Sequence, residues 1–124
     1  MKEYQNICVK ENGLNNMDFS HLEFREIRQY HKEGPKFGVV YNKSTRREVE
    51  IMLEPTHVIG FAVDFTIDLE ERITNYVDIC ELVNECCRRF GLPIYNTEAS
   101  IQRGIEAIKK ADKIQQEEVS KNEH

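Results

Sequence analysis

The chain of 124 residues has no tryptophan, only three prolines and six glycines, and no apolar run long enough to cross a membrane. With 40% hydrophobic and 31% charged residues, this composition excludes collagen-like and disordered chains. We expect a single domain over residues 1–115, because a chain of this length can bury one core, and a flexible polar tail over 116–124. The first six residues lack the apolar stretch of a signal peptide, which predicts a cytoplasmic protein.

The common sequence signatures of enzymes are missing as well. The chain has no Gly-x-x-x-x-Gly-Lys loop, no Gly-x-Gly-x-x-Gly, no Gly-x-Ser-x-Gly and no His-Glu-x-x-His. We therefore expect no catalytic residue, no metal site and no cofactor. Three alternatives stay open: a general acid or base among His21, His31 and His57; Asp64 and Asp68 as carboxylate ligands of a divalent metal in a nuclease-like site; and Cys86 or Cys87 as a nucleophile.

The four cysteines do not have the spacing of a zinc site or a disulfide framework. Cys80, Cys86 and Cys87 fall within one predicted helix, and Cys8 stands far from them in sequence. Free cysteine is among the most buried residue types. We expect reduced, buried thiols.

The net charge of −5 is the sum of three blocks of alternating sign. Residues 25–47 carry seven basic and two acidic residues, residues 48–85 carry ten acidic residues against Arg72 alone, and residues 88–113 turn basic again. An acidic chain argues against general duplex DNA binding, which depends on many lysine and arginine contacts to phosphate. Separated basic blocks are compatible with a small anionic ligand, or with contacts between basic and acidic segments of different copies.

The first half of the chain shows the periodicity of strands. Residues 59–67 alternate apolar and polar side chains and predict the longest strand, whereas 37–41 and 49–53 predict a hairpin. Ile7 and Val9 indicate a short strand near the start. Residues 19–33 fit either a strand or a helix, and we favour the strand.

The second half has the periodicity of helices. A long helix is predicted after Asp68, which can cap it, and it ends at Gly91 before Pro93. A second helix is predicted to begin near Asn96 or Thr97. These elements predict a two-layer α+β domain, with a small antiparallel sheet in the N-terminal half followed by two C-terminal helices. The sheet edges and the long helix predict a homo-oligomer, a dimer or a multiple of dimers.

The junction between the two helices, residues 88–97, combines guanidinium, aromatic and amide groups. Helix N-termini attract anions, aromatic rings stack on bases, and arginine suits phosphate. The same stretch loosely follows a helix-turn-helix, but the turn is longer than the three or four residues usual there. We predict a ligand site formed by junction residues together with arginines from the first basic block: Arg25, Arg28, Arg89, Phe90, Tyr95, Asn96 and Arg103.

In size, order of elements and this aromatic, asparagine and arginine set, the chain resembles the phage anti-Thoeris proteins. Those are oligomeric sponges that sequester cyclic nucleotide defence signals without cleaving them. The resemblance implies ligand contacts from Phe90, Tyr95, Asn96 and Arg103, with a basic residue from 25–47 completing the pocket. It also implies a counter-defence role in the cytoplasm of a phage host.

The sequence therefore predicts a non-enzymatic, homo-oligomeric protein that binds a small anionic ligand, of which a cyclic nucleotide immune signal is the favoured example. The alternative is an acidic inhibitor or regulator that uses residues 48–85 against a basic partner, such as an enzyme that handles nucleic acids.

Overall fold

The computed structural model describes residues 18–122, so Cys8 and the strand predicted at Ile7 and Val9 lie outside the described residues. Three strands precede three helices. They are β1 (Leu22–Arg28), β2 (Phe37–Asn42), β3 (Arg47–Met52), α1 (Ile59–Ala62), α2 (Leu69–Arg89) and α3 (Glu98–Asn122). This order confirms the predicted α+β class. Within the described residues, no helix combines the length and apolar character needed to span a membrane.

The strands form one antiparallel sheet in the order β1-β2-β3. The predicted hairpin is confirmed as β2 and β3, and the ambiguous segment 19–33 contains the strand β1. Asn42 Oδ1 accepts hydrogen bonds from the backbone N–H groups of Ser44 and Thr45, and Arg46 takes a positive φ of 60°. Short polar side chains that bond to nearby backbone groups favour such turns, so the predicted turn residues close the hairpin.

Residues 59–67 are not a strand, and that prediction was wrong. The segment forms the four-residue helix α1 followed by turns. Ala62 is buried and Phe61 packs against the cluster between the helices, whereas Ile59 and Val63 are 69% and 56% exposed. Arg72, from α2, donates to the carbonyl oxygens of Ala62 (3.2 Å) and Ile67 (2.9 Å). A side chain therefore satisfies carbonyls that a neighbouring strand would otherwise have to pair.

The two long helices begin with side-chain caps. Asp68 accepts a hydrogen bond from the Glu71 N–H at 2.8 Å, as predicted, and Thr97 Oγ1 accepts one from Ser100 N–H at 3.1 Å. Gly91, at a φ of 69°, follows the end of α2. α3 continues to Asn122, so the segment predicted to start a polar tail at Gln116 is helical up to that residue.

The core consists of two clusters that share α2. On one side α2 packs against α1 and α3 through Ile73, Tyr76 and Cys80, where it meets Ile101 and Ile105. On the other side it packs against the sheet, in a cluster of fully buried residues with partly buried neighbours: Val40, Leu53, Val83, Cys86 and Cys87. Gly38 permits this second contact, because a Cβ there would lie only 3.1 Å from Cys86 Sγ.

Candidate functional site

A cleft of about 380 Å³ opens where α2, the α2–α3 loop and the first turns of α3 meet the loop after β3. We call it the junction cleft. It is lined by Pro55, Thr56, Val58, Tyr76, Tyr95, Asn96, Ser100, Arg103, Gly104 and Ala107. Its volume lies within the range of small-molecule sites, roughly 300–1,000 Å³.

Three hydrogen bonds, two of them buried and one partly buried, hold one wall of the junction cleft in place. Asn84 on α2 donates from Nδ2 to the Asn96 carbonyl at 2.6 Å and accepts from the Asn96 N–H at 3.1 Å. The Asn96 side chain then accepts from the Thr56 N–H at 2.9 Å. Asn84 and Asn96 are 0% and 3% exposed. We call this set the asparagine bracket; it ties α2, the α2–α3 loop and the loop after β3 together.

Tyr76 packs closely against Gly104. A Cβ on Gly104 would overlap the Tyr76 hydroxyl and ring, so only glycine permits this approach between α2 and α3. Tyr76 is 3% exposed, and no oxygen or nitrogen of the described residues hydrogen-bonds to its hydroxyl; its polar neighbour is the Cys80 thiol. Burial raises the pKa of Tyr76, with Cys80 adding to the effect and Arg103 opposing it. The phenol therefore stays protonated at neutral pH.

Arg103 is the one charged residue among the described residues that line the junction cleft. Its side chain is exposed, and no carboxylate of residues 18–122 pairs with it. Arg72, by contrast, binds Asp112 at 2.5 Å, and Arg89 binds Glu85 at 2.7 Å. An unpaired guanidinium at the mouth of a largely apolar cleft is a ready donor for an anion.

The side chain of Thr56 lies in the wall of the junction cleft with its Oγ1 buried and without a hydrogen-bond partner in the described part of the chain. The Cys80 thiol lies near it, and burial raises the pKa of that thiol to about 11, with Thr56 and Tyr76 acting in the opposite direction. Burial also raises the pKa of Cys86 to about 12 and that of Cys87. These thiols are protonated at neutral pH, which disfavours the alternative of a cysteine nucleophile.

Three of the seven residues predicted to bind ligand line the junction cleft: Tyr95, Asn96 and Arg103. Tyr95 is half-buried and Arg103 is exposed. Asn96 also belongs to the asparagine bracket through its side chain and backbone. Of the backbone amides at the start of α3, where an anion site was predicted, the Ser100 N–H is bonded to the Thr97 side chain.

The remaining four predicted residues lie outside the lining of the junction cleft. Arg25 and Arg28 belong to β1, where each pairs with glutamates on the outer face of the sheet. Arg89 pairs with Glu85 and lies 4.2 Å above the Phe24 ring. Phe90 is half-buried at the end of α2.

The outer face of the sheet carries a network of ion pairs, which we call the outer lattice. Arg25 binds Glu23 at 2.9 Å and Glu48 at 3.1 Å. A hydrogen bond to glutamate, Glu23 for Arg25 and Glu26 for Arg28, is the largest cause that raises the pKa of each arginine. Arg28 binds three carboxylates and shares Glu48 with Arg25. Its contacts are Glu26 at 2.6 Å, Glu48 at 3.6 Å and Glu50 at 3.3 Å. These arginines are therefore already engaged with carboxylates of their own chain.

Several residues of the junction cleft were not predicted: Pro55, Thr56, Val58, Tyr76, Ser100, Gly104 and Ala107. The periodicity places Tyr76 on the apolar face of its helix, so the sequence predicts a core residue at this position. Gly104 carried a usable signal, because an isolated glycine within an apolar helical stripe indicates a close contact. Thr56 lies in a predicted turn and gave no signal.

The two aspartates considered as metal ligands have local roles. Asp68 caps α2, and Asp64 Oδ1 accepts from the Thr66 hydroxyl at 2.5 Å. Among residues 18–122, no three histidine, cysteine or acidic side chains are grouped as a metal would require.

A second cleft of about 320 Å³ lies beside β3, the edge strand, and we call it the edge cleft. Its lining includes two carboxylates and an imidazole but no lysine or arginine: Glu50, Ile51, Met52, Glu54, Pro55, Thr56, His57, Ile79 and Val83. Val49 and Met52 of β3 are 48% and 46% exposed.

No protein-family model matches this chain, and neither a curated protein nor a solved structure matches it.

Proposed function

We propose that this protein captures a small anionic ligand in the junction cleft and does not transform it. The observation that carries the proposal is the Arg103 guanidinium, which lines the cleft without an ion pair in the described part of the chain, while its neighbours Tyr76 and Thr56 offer hydroxyl groups. An arginine of this kind binds a phosphate or carboxylate through two parallel hydrogen bonds.

The lining of the junction cleft supports binding without turnover. No carboxylate, imidazole or thiol belongs to it among the described residues, and the raised pKa of Tyr76 keeps its phenol protonated. General acid–base chemistry needs a group whose pKa lies near the working pH. The polar groups present are donors, which suit an anion held in place.

The ligand we favour is a nucleotide-type signal. Tyr95 offers an aromatic ring at the wall, and Pro55 and Val58 offer apolar surface on which a base can pack. The resemblance in layout to signal-sequestering anti-Thoeris proteins extends the proposal to a cyclic nucleotide immune signal and a counter-defence role. Sequestration by a homo-oligomer in the cytoplasm belongs to the same proposal.

Native mass spectrometry of the purified protein tests this proposal. The protein is mixed with a panel of cyclic di- and trinucleotides, cyclic ADP-ribose isomers and mononucleotides. We expect an oligomer that gains the intact mass of a ligand, and no gain for Arg103→Gln. Lys110→Gln removes the same charge from an exposed position on α3 outside the cleft lining and should bind as the wild type does. A product mass, or equal binding by Arg103→Gln, would contradict the proposal.

A second candidate function is a regulator that docks a basic segment of another protein. The edge cleft favours it, because its lining holds two carboxylates and no lysine or arginine, and exposed apolar residues of an edge strand lie beside it. A lysine-rich peptide should then bind, and its affinity should fall strongly when the salt concentration is raised from roughly 50 to 300 mM, because salt screens the attraction between exposed charges. Glu54→Gln should abolish this binding, whereas the exposed Glu117→Gln on α3 should leave it unchanged. Salt-insensitive binding would exclude electrostatic docking.

A further inference from the structure

The junction cleft holds one positive charge and a small set of neutral donors, and this composition restricts the ligand. Arg103 supplies the charge, and Tyr76 and Thr56 supply hydroxyls whose polar neighbour is the Cys80 thiol. Among the described residues, neither hydroxyl has an oxygen or nitrogen partner. Ser100 also lines the cleft, but its hydroxyl donates to the Thr97 carbonyl at 3.0 Å. The remaining lining is largely apolar.

We infer that each junction cleft takes one phosphate group carried by one planar ring, the chemistry of a nucleoside monophosphate or a cyclic mononucleotide, and discriminates against polyphosphates and dinucleotides. This inference rests on the proposed function and specifies its ligand. It assigns Arg103 and Tyr76 to the phosphate, and Tyr95 to the ring.

The charge balance supports a single phosphate. One guanidinium matches two oxygens of one phosphate. A second phosphate in the same cleft would face Pro55, Val58 or Ala107, and no other cation belongs to the lining formed by residues 18–122. Removing an unpaired anion from water into apolar surroundings is costly, so a second phosphate weakens binding instead of adding to it.

The position of Tyr76 supports a specific role for its hydroxyl. The close approach to Gly104 places the phenol oxygen against α3, one residue from Arg103 in sequence. Tyr76 and Arg103 both line the junction cleft, and the positive charge of Arg103 opposes the rise in the pKa of Tyr76. Because the phenol remains protonated and its polar neighbour is the Cys80 thiol, a weak acceptor, a phosphate oxygen held by Arg103 would be a stronger acceptor for the Tyr76 hydroxyl.

The size and walls of the cleft agree with one ring. A volume of about 380 Å³ is at the lower end for ligand sites, which run from roughly 300 to 1,000 Å³. Tyr95 is half-buried, and its inner side packs against the cluster between the sheet and α2, which restricts its motion. A ring fixed in this way stacks on a base at a low entropic cost.

Isothermal titration calorimetry with the full chain tests the inference, using adenosine, AMP, cyclic AMP, ADP, ATP and cyclic di-AMP. We expect AMP or cyclic AMP to bind at least about 10-fold tighter than adenosine, as one charge-assisted contact implies. ADP, ATP and cyclic di-AMP should bind more weakly than AMP. Parallel titrations with UMP and GMP show whether the base contributes.

Two variants identify the phosphate contacts. Arg103→Gln should reduce AMP binding to the level of adenosine. Tyr76→Phe keeps the ring against Gly104 and should weaken AMP by roughly 2- to 10-fold, the usual effect of one hydrogen bond, while adenosine binding is unchanged. Unfolding curves of both variants verify that they fold. Because Arg103 is exposed, the effect of Arg103→Gln on binding does not depend on a change in core packing.

The outcomes separate the two proposals. Tighter binding of ATP or cyclic di-AMP than of AMP, lost in Arg103→Gln, overturns the single-phosphate inference and keeps anion capture in the junction cleft. Absence of binding by every anion of the panel overturns both.

Discussion

The side chain of Asn96 joins three segments that are distant in sequence. It accepts a hydrogen bond from Thr56, 40 residues away, while its backbone pairs with Asn84 on α2. Asn96 is 3% exposed, and it lines the junction cleft. We therefore expect Asn96 to position the wall of the junction cleft.

Asn96→Ala should lower the free energy of unfolding by about 1–3 kcal/mol, because the Thr56 N–H is left buried without an acceptor. The measurement is urea denaturation followed by circular dichroism. Asn75→Ala, at an exposed position on α2, is the matched control and should change stability by less than about 0.5 kcal/mol. If Asn96→Ala were as stable as wild type but did not bind ligand, the positioning role would be wrong.

Glu81 on α2 is 2% exposed, and burial, together with nearby Asp78, raises the pKa of this carboxyl to about 7, against the influence of Arg88. The folded state therefore holds a proton that the unfolded chain releases near pH 4.5. It follows that the contribution of Glu81 to stability is full below pH 4.5 and is lost as the pH rises to about 7.

Glu81→Gln should remove this component, making stability less dependent on pH between 4.5 and 7 and higher than that of wild type at pH 8. Urea midpoints measured at half-unit intervals of pH test it, with Glu117→Gln as a charge-matched control at an exposed site on α3. A wild-type protein that gains stability steadily across that interval, with Glu81→Gln following the same curve, would contradict the prediction.

At the scale of elements, the sequence pattern predicted those helices, caps and turns that depend on interactions between residues close in sequence. The hairpin, the caps of the helices and the period of α2 follow from residues close in sequence, such as Asn42 and Asp68. The segment 59–67 failed because its alternation, from Ile59 to Ile67, is also compatible with a turn of helix, and the deciding contacts come from elsewhere. Arg72 donates hydrogen bonds to the Ala62 and Ile67 carbonyl oxygens, and the local sequence pattern does not indicate that contact.

The candidate site shows the same division. Tyr95 and Arg103 could be predicted because an aromatic and a basic residue near a helix start are recognisable types. The contributions of Tyr76 and Thr56 depend on how α2 and the loop after β3 meet α3, which is a tertiary contact. Arg25 was predicted from charge alone, and the sequence did not show that Glu23 on its own strand and Glu48 on β3 pair with it.

Asp112→Asn should destabilise the protein by roughly 3 kcal/mol, because Arg72 is 3% exposed and loses the carboxylate that balances its charge. Hydrogen exchange should show the amides of α1 opening first, since Arg72 also holds the Ala62 carbonyl. Glu23→Gln, which breaks an exposed ion pair with Arg25, serves as the control and should cost less than about 1 kcal/mol. Equal effects of the two variants would show that the Arg72 pair is not specially stabilising.

On the scale of the whole molecule, α2 belongs to both core clusters, so neither the sheet nor α3 has a core without it. We expect the described fold to unfold as one cooperative unit. The exposed apolar residues Ile59, Val63 and Phe65 lie outside both clusters' buried sets and remain available at the surface.

Val83→Ala, on the sheet side, and Ile105→Ala, on the α3 side, test this cooperativity. The first should cost roughly 1–3 kcal/mol and the second about 2–5 kcal/mol, because both side chains are buried. Each variant should show a single transition that coincides for circular dichroism and tyrosine fluorescence. Two separate transitions in either variant would mean that the sheet and the helical pair unfold independently.

The length of α3 has a practical consequence for how this protein can be handled. Its residues Ser100, Arg103, Gly104 and Ala107 line the junction cleft, whereas the helix continues to Asn122. At 1.5 Å per residue, the end of α3 lies about 28 Å along the axis from Arg103. A molecule immobilised on a sensor surface through the end of α3 would hold the junction cleft well away from the support, open to small solutes flowing past.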